Sequence, residues 1–485
     1  MIRIHFKKKT DSASHQNHHY SKKELTGILI AAACATFLTP FFGAVVNIAI
    51  PAISQSFEVP ADTLAMLTTT YLLSSVIFLV PAARLADIYG LLRVFNTGLV
   101  IGAIGAFMAP FAPSIEILLI CQIFIGIGFA CVISNAMALL STTFPPEQRG
   151  FAIGIGVASV YLGLTSGPLI GGILTGWFGW ASVYAFVCAI SVCAVIISRF
   201  SVRGEIMLTP GEPFDRKGAV LYCIVIFLLL YGLIRLPSTI GIIFLIFGII
   251  FLILFVTFEL REENPVFAIQ LFAGNWAFTL ANLVTMINYG ATYAVNFFMS
   301  LYLQVIGVLT PAEAGLVMIS MPIMQMIFSP ISGRLSDRIN ARLLMTAGML
   351  ITTLGMLFLL CISEEYYQTW IILSLGIIGL GVAFFGAPNL NLVLSSVSRK
   401  DGGSANSINA TMRQIGMVAS MALATSFIAL SFGSTGELYA NHESLVSAMR
   451  LTFGCGTVLC LFGAIISWFA KNESNQKEKI WIKRG

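Results

Sequence analysis

The sequence predicts an all-α polytopic membrane protein with fourteen transmembrane helices, and three observations carry that prediction. Of its 485 residues, 57% are hydrophobic and only 10% charged, at a mean hydropathy of +0.90; a soluble domain carries roughly 25% charged residues. Apolar runs of about 20 residues, the length that crosses roughly 30 Å of hydrocarbon, recur along the whole chain. Basic residues crowd into alternate connections between those runs, as the positive-inside rule requires of a multi-pass protein.

In chain order, the first 24 residues hold Lys7, Lys8, Lys9, Lys22 and Lys23 but no apolar core, so they read as a cytoplasmic tail and not a cleaved leader. His15, His18 and His19 in this tail read as solvated side chains, not as a metal site. The spans follow at roughly 25–47, 63–83, 94–112, 115–141, 151–175, 180–199, 218–236, 239–258, 276–305, 312–332, 343–361, 368–396, 404–430 and 447–470. With the N-terminus inside, only Arg235 and Arg450 of the 27 Lys+Arg fall in outer loops and Arg413 falls inside a span, so both termini are expected in the cytoplasm of a cell-membrane protein. The net charge of +5 then suits an anionic inner leaflet and gives no reason to expect nucleic acid as a partner.

The nine cysteines lie in spans without CxxC spacing, which argues against a disulfide framework or a zinc site. No P-loop, GxGxxG or acid/base constellation is present, so neither an enzyme nor a cofactor is expected.

A repeat is present instead. "ARLADIYGLLR" follows the second span and "GRLSDRINAR" the tenth; each sets an Asp (Asp87, Asp337) three residues after an Arg (Arg84, Arg334), with Arg93 or Arg338 beyond. An Asp before a helix can cap its free N–H groups, and the arginines are left to pair with acids across the molecule. Two six-span halves with this turn after the second helix imply a duplication about a central cavity, and the two turns are candidate gates. In the fifth span, "GLTSGPLIGG" places Gly163, Gly167 and Gly171 on one flat face and Pro168 beside it, a pattern suited to close helix packing.

On these residues the chain resembles the major facilitator superfamily. The two turns are similar to its loop motif G-x-L-x-D-R-x-G-x-x-R, departing at Ala83, Ile88 and Asn340, and the fifth span fits the antiporter motif G-x-x-x-G-P-x-x-G-G. "VVNIAIP", "FPPEQRG", "FDRKG", "ELREENPVF" and "MRQIG" narrow the resemblance to the fourteen-span drug:proton antiporters. It implies a six-helix bundle over 25–199, a linker and inserted helix pair over 200–260, a second bundle over 261–470 and a tail over 471–485. The inserted pair, almost wholly aliphatic and aromatic, should face lipid. In this family an acid usually stands where the chain has Phe42, and R-x-x-Q-G where it has "QIFIG", so Gln122 replaces the Arg; the usual proton route loses both parts.

Helical spacing nominates the cavity faces. Asn282, Thr285, Tyr289, Thr292 and Asn296 form one stripe of the ninth span, and Thr36, Thr39, Gly43 and Asn47 begin a matching stripe in the first. Tyr71, Gln122 and Asn389 join them as candidate substrate contacts, since polar groups in a bilayer core face protein or water. Arg413, about nine residues into its span, shares a face with Asn406, Asn409, Gly416 and Ser420 and should point into the cavity. With no acid near the bilayer centre, its field should favour neutral or anionic ligands. The resulting expectation is a secondary transporter working by alternating access and exporting hydrophobic small molecules or drugs, with the resemblance implying proton antiport. The alternatives are a facilitator or importer of a neutral or anionic metabolite, and a transporter-like receptor that moves nothing.

Overall fold

A computed structural model describes residues 21–59, 61–201, 204–236, 238–336, 338–398, 401–432 and 442–470. Residues 1–20 with the three tail histidines, the tail over 471–485, Pro237 and Asp337 lie outside the described residues, while Ser21 to Glu24, expected as the end of the N-terminal tail, cap and open α1. Fifteen α-helices occur among the described residues: α1 (Lys22–Phe57), α2 (Ala61–Tyr89), α3 (Leu91–Met108), α4 (Ile115–Thr143), α5 (Pro146–Phe178), α6 (Ala181–Ser201), α7 (Arg216–Ile234), α8 (Thr239–Glu259), α9 (Trp276–Val305), α10 (Pro311–Met318), α11 (Ser320–Ser336), α12 (Ala341–Leu360), α13 (Gln368–Ser395), α14 (Gly402–Phe432) and α15 (His442–Phe469). No strand occurs among the described residues.

The tenth span, expected as one helix, is two. Pro322 has no N–H to give the carbonyl four residues back, so the helix breaks after Met318 and restarts at Ser320. Among the described residues, thirteen helical segments, with α10 and α11 joined as one, are long and apolar enough to cross a membrane. The helix left out is α9: its polar stripe lowers its hydropathy, yet at 30 residues it spans the bundle and is buried along most of its length. A lipid-facing helix could not carry that stripe, so α9 stands at the centre, against α14, α15 and α13.

Helices α1 to α6 pack on one another, chiefly α1 on α5 and α6, α2 on α4, and α3 on α4 and α6; α9 to α15 form the second bundle. Of the inserted pair, α8 faces outward, with Ile243, Phe247, Ile250 and Leu254 all exposed. The expectation for α7 needs correcting, because it fills the seam between the bundles. The Tyr222 hydroxyl donates to the Val76 carbonyl of α2 at 3.1 Å, and the Ser426 hydroxyl of α14 donates to the Leu236 carbonyl just past α7 at 3.0 Å.

The two bundles meet most closely away from the face where α1 begins and α15 ends (the terminal face), here the far face. There the Ser300 hydroxyl of α9 donates to the Asn47 carbonyl of α1, and Gln304 Nε2 donates to the Ile48 carbonyl at 3.1 Å. Backbones also touch: a Cβ at Gly172 would stand 2.4 Å from the Pro311 carbonyl oxygen, and one at Gly315 2.2 Å from that of Pro168. At mid-depth, Gln414 Nε2 donates to Ser75 Oγ at 3.1 Å. Toward the terminal face one side of α5 is bare: Phe151 is 68% exposed, and a Cβ at Gly150 or Gly154 would meet nothing within 4 Å, while Ala152 between them is fully buried. The contacts at Gly172 and Gly315 close the far face.

Candidate functional site

Arg413 is half-buried on α14, its guanidinium 6.0 Å from the centroid of the Tyr289 ring on α9. That distance is within cation–π range, the one attraction an apolar wall can offer an arginine. Tyr71 of α2 and Tyr161 of α5 lie within electrostatic reach of the same charge, and Tyr161 interacts with Ser329 of α11 across the seam. The Tyr293 hydroxyl crosses the other way, 3.3 Å from where a Cβ on Gly43 of α1 would stand. Four helices from both bundles, α2, α5, α9 and α14, thus bring side chains to one cation. The ion pairs among the described residues are Arg84–Glu212 and Arg93–Glu205, so Arg413 has no carboxylate partner there. Asn296, on the same α9 stripe, is half-buried.

Nearer the terminal face, α9, α13 and α14 share a polar cluster. Asn409 Nδ2 donates to Thr285 Oγ1 at 2.9 Å and to Asn282 Oδ1 at 3.2 Å, and Asn389 Nδ2 donates to Thr285 Oγ1 at 2.6 Å. Asn389 Oδ1 is buried without a partner, so the cluster keeps an unused acceptor. Gly416 and Ser420 do not join Arg413 toward the cavity as the shared spacing suggested. A Cβ on Gly416 would stand 2.4 Å from the Met286 carbonyl oxygen, and Ser420 Oγ accepts from the Ala294 N–H at 3.0 Å. These small residues form the α9–α14 crossing, and Arg413 rides at its edge.

The remaining polar candidates are enclosed within the first bundle. Asn47 is buried, its Oδ1 accepting from the Thr68 hydroxyl at 3.0 Å. Gln122 is also buried and donates to the Tyr184 hydroxyl at 2.8 Å. Phe42 completes an aromatic cage there, with ring centroids 5.0 Å from Tyr71, 5.7 Å from Phe129 and 5.9 Å from Tyr184.

The first Asp/Arg turn is strapped by the linker between α6 and α7. Arg84 Nη2 pairs with Glu212 Oε2 at 2.7 Å, and Arg93 faces Glu205 at 3.6 Å. Asp87 does not cap α3 as its position suggested, because it belongs to the last turn of α2 and its carbonyl accepts from the Leu208 and Thr209 N–H groups. The cap comes from Glu205, whose carboxylate accepts from the Leu92 and Arg93 N–H groups at 2.8 and 3.1 Å. In the second turn Arg334 and Arg338 are exposed, and Asn340 Oδ1 caps α12 through the Arg342 N–H at 3.2 Å.

The glycine face of α5 lies on α1. A Cβ at Gly163 would stand 2.3 Å from the Phe37 carbonyl oxygen, at Gly167 2.6 Å from Ala44 Cβ, and at Gly171 2.3 Å from Val45 Cγ2. Sequence reasoning missed Tyr161, Tyr293, Ser329 and Tyr184, each outside the two polar stripes. For Tyr161 and Tyr184 the only signal was a tyrosine in an apolar span, which does not say which face it occupies.

A two-bundle membrane fold with a polar and aromatic centre between the halves, closed over at the far face, defines a multi-pass transporter. Comparison with known proteins makes the class specific. The chain matches the Major Facilitator Superfamily over residues 32–287 and again over 281–482, and it belongs to that family. It is 29% identical to the riboflavin transporter RibZ of Clostridioides difficile (strain 630) over 452 residues, 93% of this chain and 98% of that one. It is 30% identical to the multidrug resistance protein Stp of Mycobacterium tuberculosis (strain CDC 1551 / Oshkosh) over 416 residues, 84% and 77% of the two chains. Among solved structures, a peptide transporter POT in complex with sulfate superposes with a TM-score of 0.69 at 16% identity, covering 92% of this chain and 95% of that one. A bacterial homologue of the lysosomal transporter Spinster gives 0.67 at 16% identity, covering 93% and 97%. These two likenesses show the fold alone.

Proposed function

We propose that this transporter carries uncharged or anionic small molecules with an aromatic portion, binding them between Arg413 and the tyrosines that surround it. One observation carries the proposal: a permanent cation lies over a tyrosine ring at the meeting point of both bundles, with no carboxylate partner among the described residues. Such a centre repels cations, and it favours anions and flat rings that can lie against Tyr289. The cluster of Asn282, Thr285, Asn389 and Asn409 would take hydroxyl or amide groups of the same ligand. The riboflavin transporter among the relatives fits this chemistry, since riboflavin is an uncharged flat ring system bearing a polyol.

Alternating access would then work by rocking the bundles about this centre. The far-face contacts at Gly172 and Gly315 would separate as the terminal face closes, and the turns carrying Arg84, Asp87, Arg93, Arg334, Asp337 and Arg338 would act as gates there. The basic bias of the terminal-face loops supports a cytoplasmic terminal face in the cell membrane.

A second reading, proton-coupled export of hydrophobic drugs, draws on the antiporter motif at Gly163–Gly172 and on the multidrug resistance relative. The two separate in one experiment, uptake into proteoliposomes of matched neutral, anionic and cationic aromatic dyes, with and without an imposed pH gradient. The charged centre predicts transport of the neutral and anionic dyes, and Arg413→Ala should weaken the anion about ten- to a hundredfold more than the neutral dye, the range of a hydrogen bond to a charged group. Wild-type preference for the cationic dye would refute the role given to Arg413.

A further inference from the structure

A hydroxyl inside a helix commonly bonds to its own backbone. The Thr39, Thr285 and Thr292 hydroxyls do so, each donating to the carbonyl four residues back, at 3.0, 3.0 and 2.8 Å. Ser300, fully buried on α9, does otherwise, because its hydroxyl donates to the Asn47 carbonyl of α1 in the opposite bundle. The motif "VVNIAIP" explains why that carbonyl is available. Pro51 lies inside α1 four residues after Asn47; it has no N–H to complete the helical ladder there, and its ring crowds the carbonyl it fails to bond.

A buried carbonyl left without a donor is costly, so α1 can close against protein at this point only where another element supplies one. Helix α9 supplies two. Gln304 Nε2 donates to the Ile48 carbonyl at 3.1 Å and to Ser300 Oγ at 3.0 Å. A serine hydroxyl has a single proton, and with Oγ accepting from Gln304 that proton is the one aimed at Asn47. Ser300 and Gln304 follow Asn296 at i+4 and i+8, so the polar stripe of α9 that passes Tyr289 ends on α1, about 16 Å further along the same helix.

Pro81 of α2 repeats the device. The Ile77 carbonyl, four residues before it, accepts from the Cys223 thiol of α7 at 3.6 Å, and the Val76 carbonyl beside it accepts from the Tyr222 hydroxyl at 3.1 Å. That joint fastens the inserted pair to the first bundle. The joint at Pro51 ties the two bundles to each other, so it must part whenever the far face opens.

We propose that Pro51, Ser300 and Gln304 form the latch of the far face: the proline keeps a carbonyl of α1 unbonded within its own helix, and the α9 donors satisfy it only while that face is closed. When the bundles part, water takes the place of both donors. The latch concerns the rocking of the bundles and not the ligand held at Arg413, so its test needs no substrate.

Spin labels at Phe178 of α5 and Leu373 of α13, both exposed, read the opening in the full-length protein in lipid nanodiscs. Ser300→Ala leaves the Asn47 carbonyl bare in the closed state alone, since water reaches it in the open one. The far-face-open population should therefore rise about five- to 150-fold, the equivalent of about 1–3 kcal/mol at 1.4 kcal/mol per tenfold. Gln304→Met, which removes the second donor at similar volume, should shift the population the same way. Pro51→Ala restores the missing N–H, so adding Ser300→Ala to it should change the population by less than about twofold, a non-additivity that a merely space-filling serine would not produce. Pro51→Leu supplies the same N–H should the alanine variant fail to fold. A wild-type distance distribution in Ser300→Ala or in Gln304→Met overturns the latch, and a Ser300→Ala effect of equal size with and without Pro51 overturns the part given to the proline.

Discussion

Gly315→Ala should push this transporter out of the conformation in which its far face is closed. The methyl carbon would stand 2.2 Å from the Pro168 carbonyl oxygen and 2.9 Å from its carbon, and those are backbone atoms of the opposite bundle that no rotamer change can move. About 1 Å of separation between α5 and α10 must open before the pair reaches the 3.4 Å of ordinary contact. Overpacking of this kind costs about 1–3 kcal/mol. Were the cost confined to the closed state, at 1.4 kcal/mol per tenfold the far-face-open population would rise about five- to 150-fold. Gly172→Ala, which meets the Pro311 carbonyl oxygen at 2.4 Å, should act in the same direction. Spin labels at Phe178 of α5 and Leu373 of α13, both exposed, would read the change as a longer interspin distance. If both alanine variants fold with the wild-type thermal midpoint and give the wild-type distance distribution, these contacts do not define the closed face.

The other glycine face makes a useful contrast. Gly167→Leu drives a branched side chain into Ala44 of α1 within one bundle, so it should abolish transport by disrupting α1–α5 packing and lower the thermal midpoint as well; a stable, active leucine variant would show that the face tolerates bulk. Glu205→Ala removes the cap of α3 and should weaken protection of the Leu92 and Arg93 amides by about two- to thirtyfold in hydrogen exchange, the equivalent of about 0.5–2 kcal/mol; unchanged exchange would mean that the linker strap does not hold this helix end.

The spans were legible because a bilayer tolerates one answer for each 20-residue apolar run, a helix with its backbone bonds satisfied internally. The α9 stripe was legible too, since period 3.6 survives when hydropathy falls. Single-residue devices were harder to read. Pro322 breaks the tenth span although other prolines, Pro40, Pro81, Pro168 and Pro388 among them, lie inside unbroken helices. Spacing placed Gly416 and Ser420 beside Arg413, yet a face about 100° wide can serve both a cavity and a helix crossing, and periodicity does not divide it. The strap was hidden for another reason. Arg84 and Glu212 are 128 positions apart, and Arg93 and Glu205 112, so a charge pattern could show that the arginines needed partners but not which acids would supply them.

The two departures from the antiporter pattern, Phe42 and Gln122, make sense only together. Phe42 sits wholly buried in a cage of Tyr71, Phe129 and Tyr184, and Gln122 spends its donor on the hydroxyl of that same Tyr184. An acid at 42 without an arginine at 122 would be a buried charge among ring edges, and an arginine at 122 without the acid would meet Tyr184 with a charge that nothing there neutralises. At this depth the first bundle carries neither charge. In the second bundle Arg413 keeps its charge, held by the Tyr289 face and not by a carboxylate. On the role proposed for Arg413, selection at the centre would rest on one uncompensated cation and the rings around it. A cationic drug would then approach that charge with no ion-paired acid beside it, whereas an anion or a flat neutral ring would meet an attractive wall.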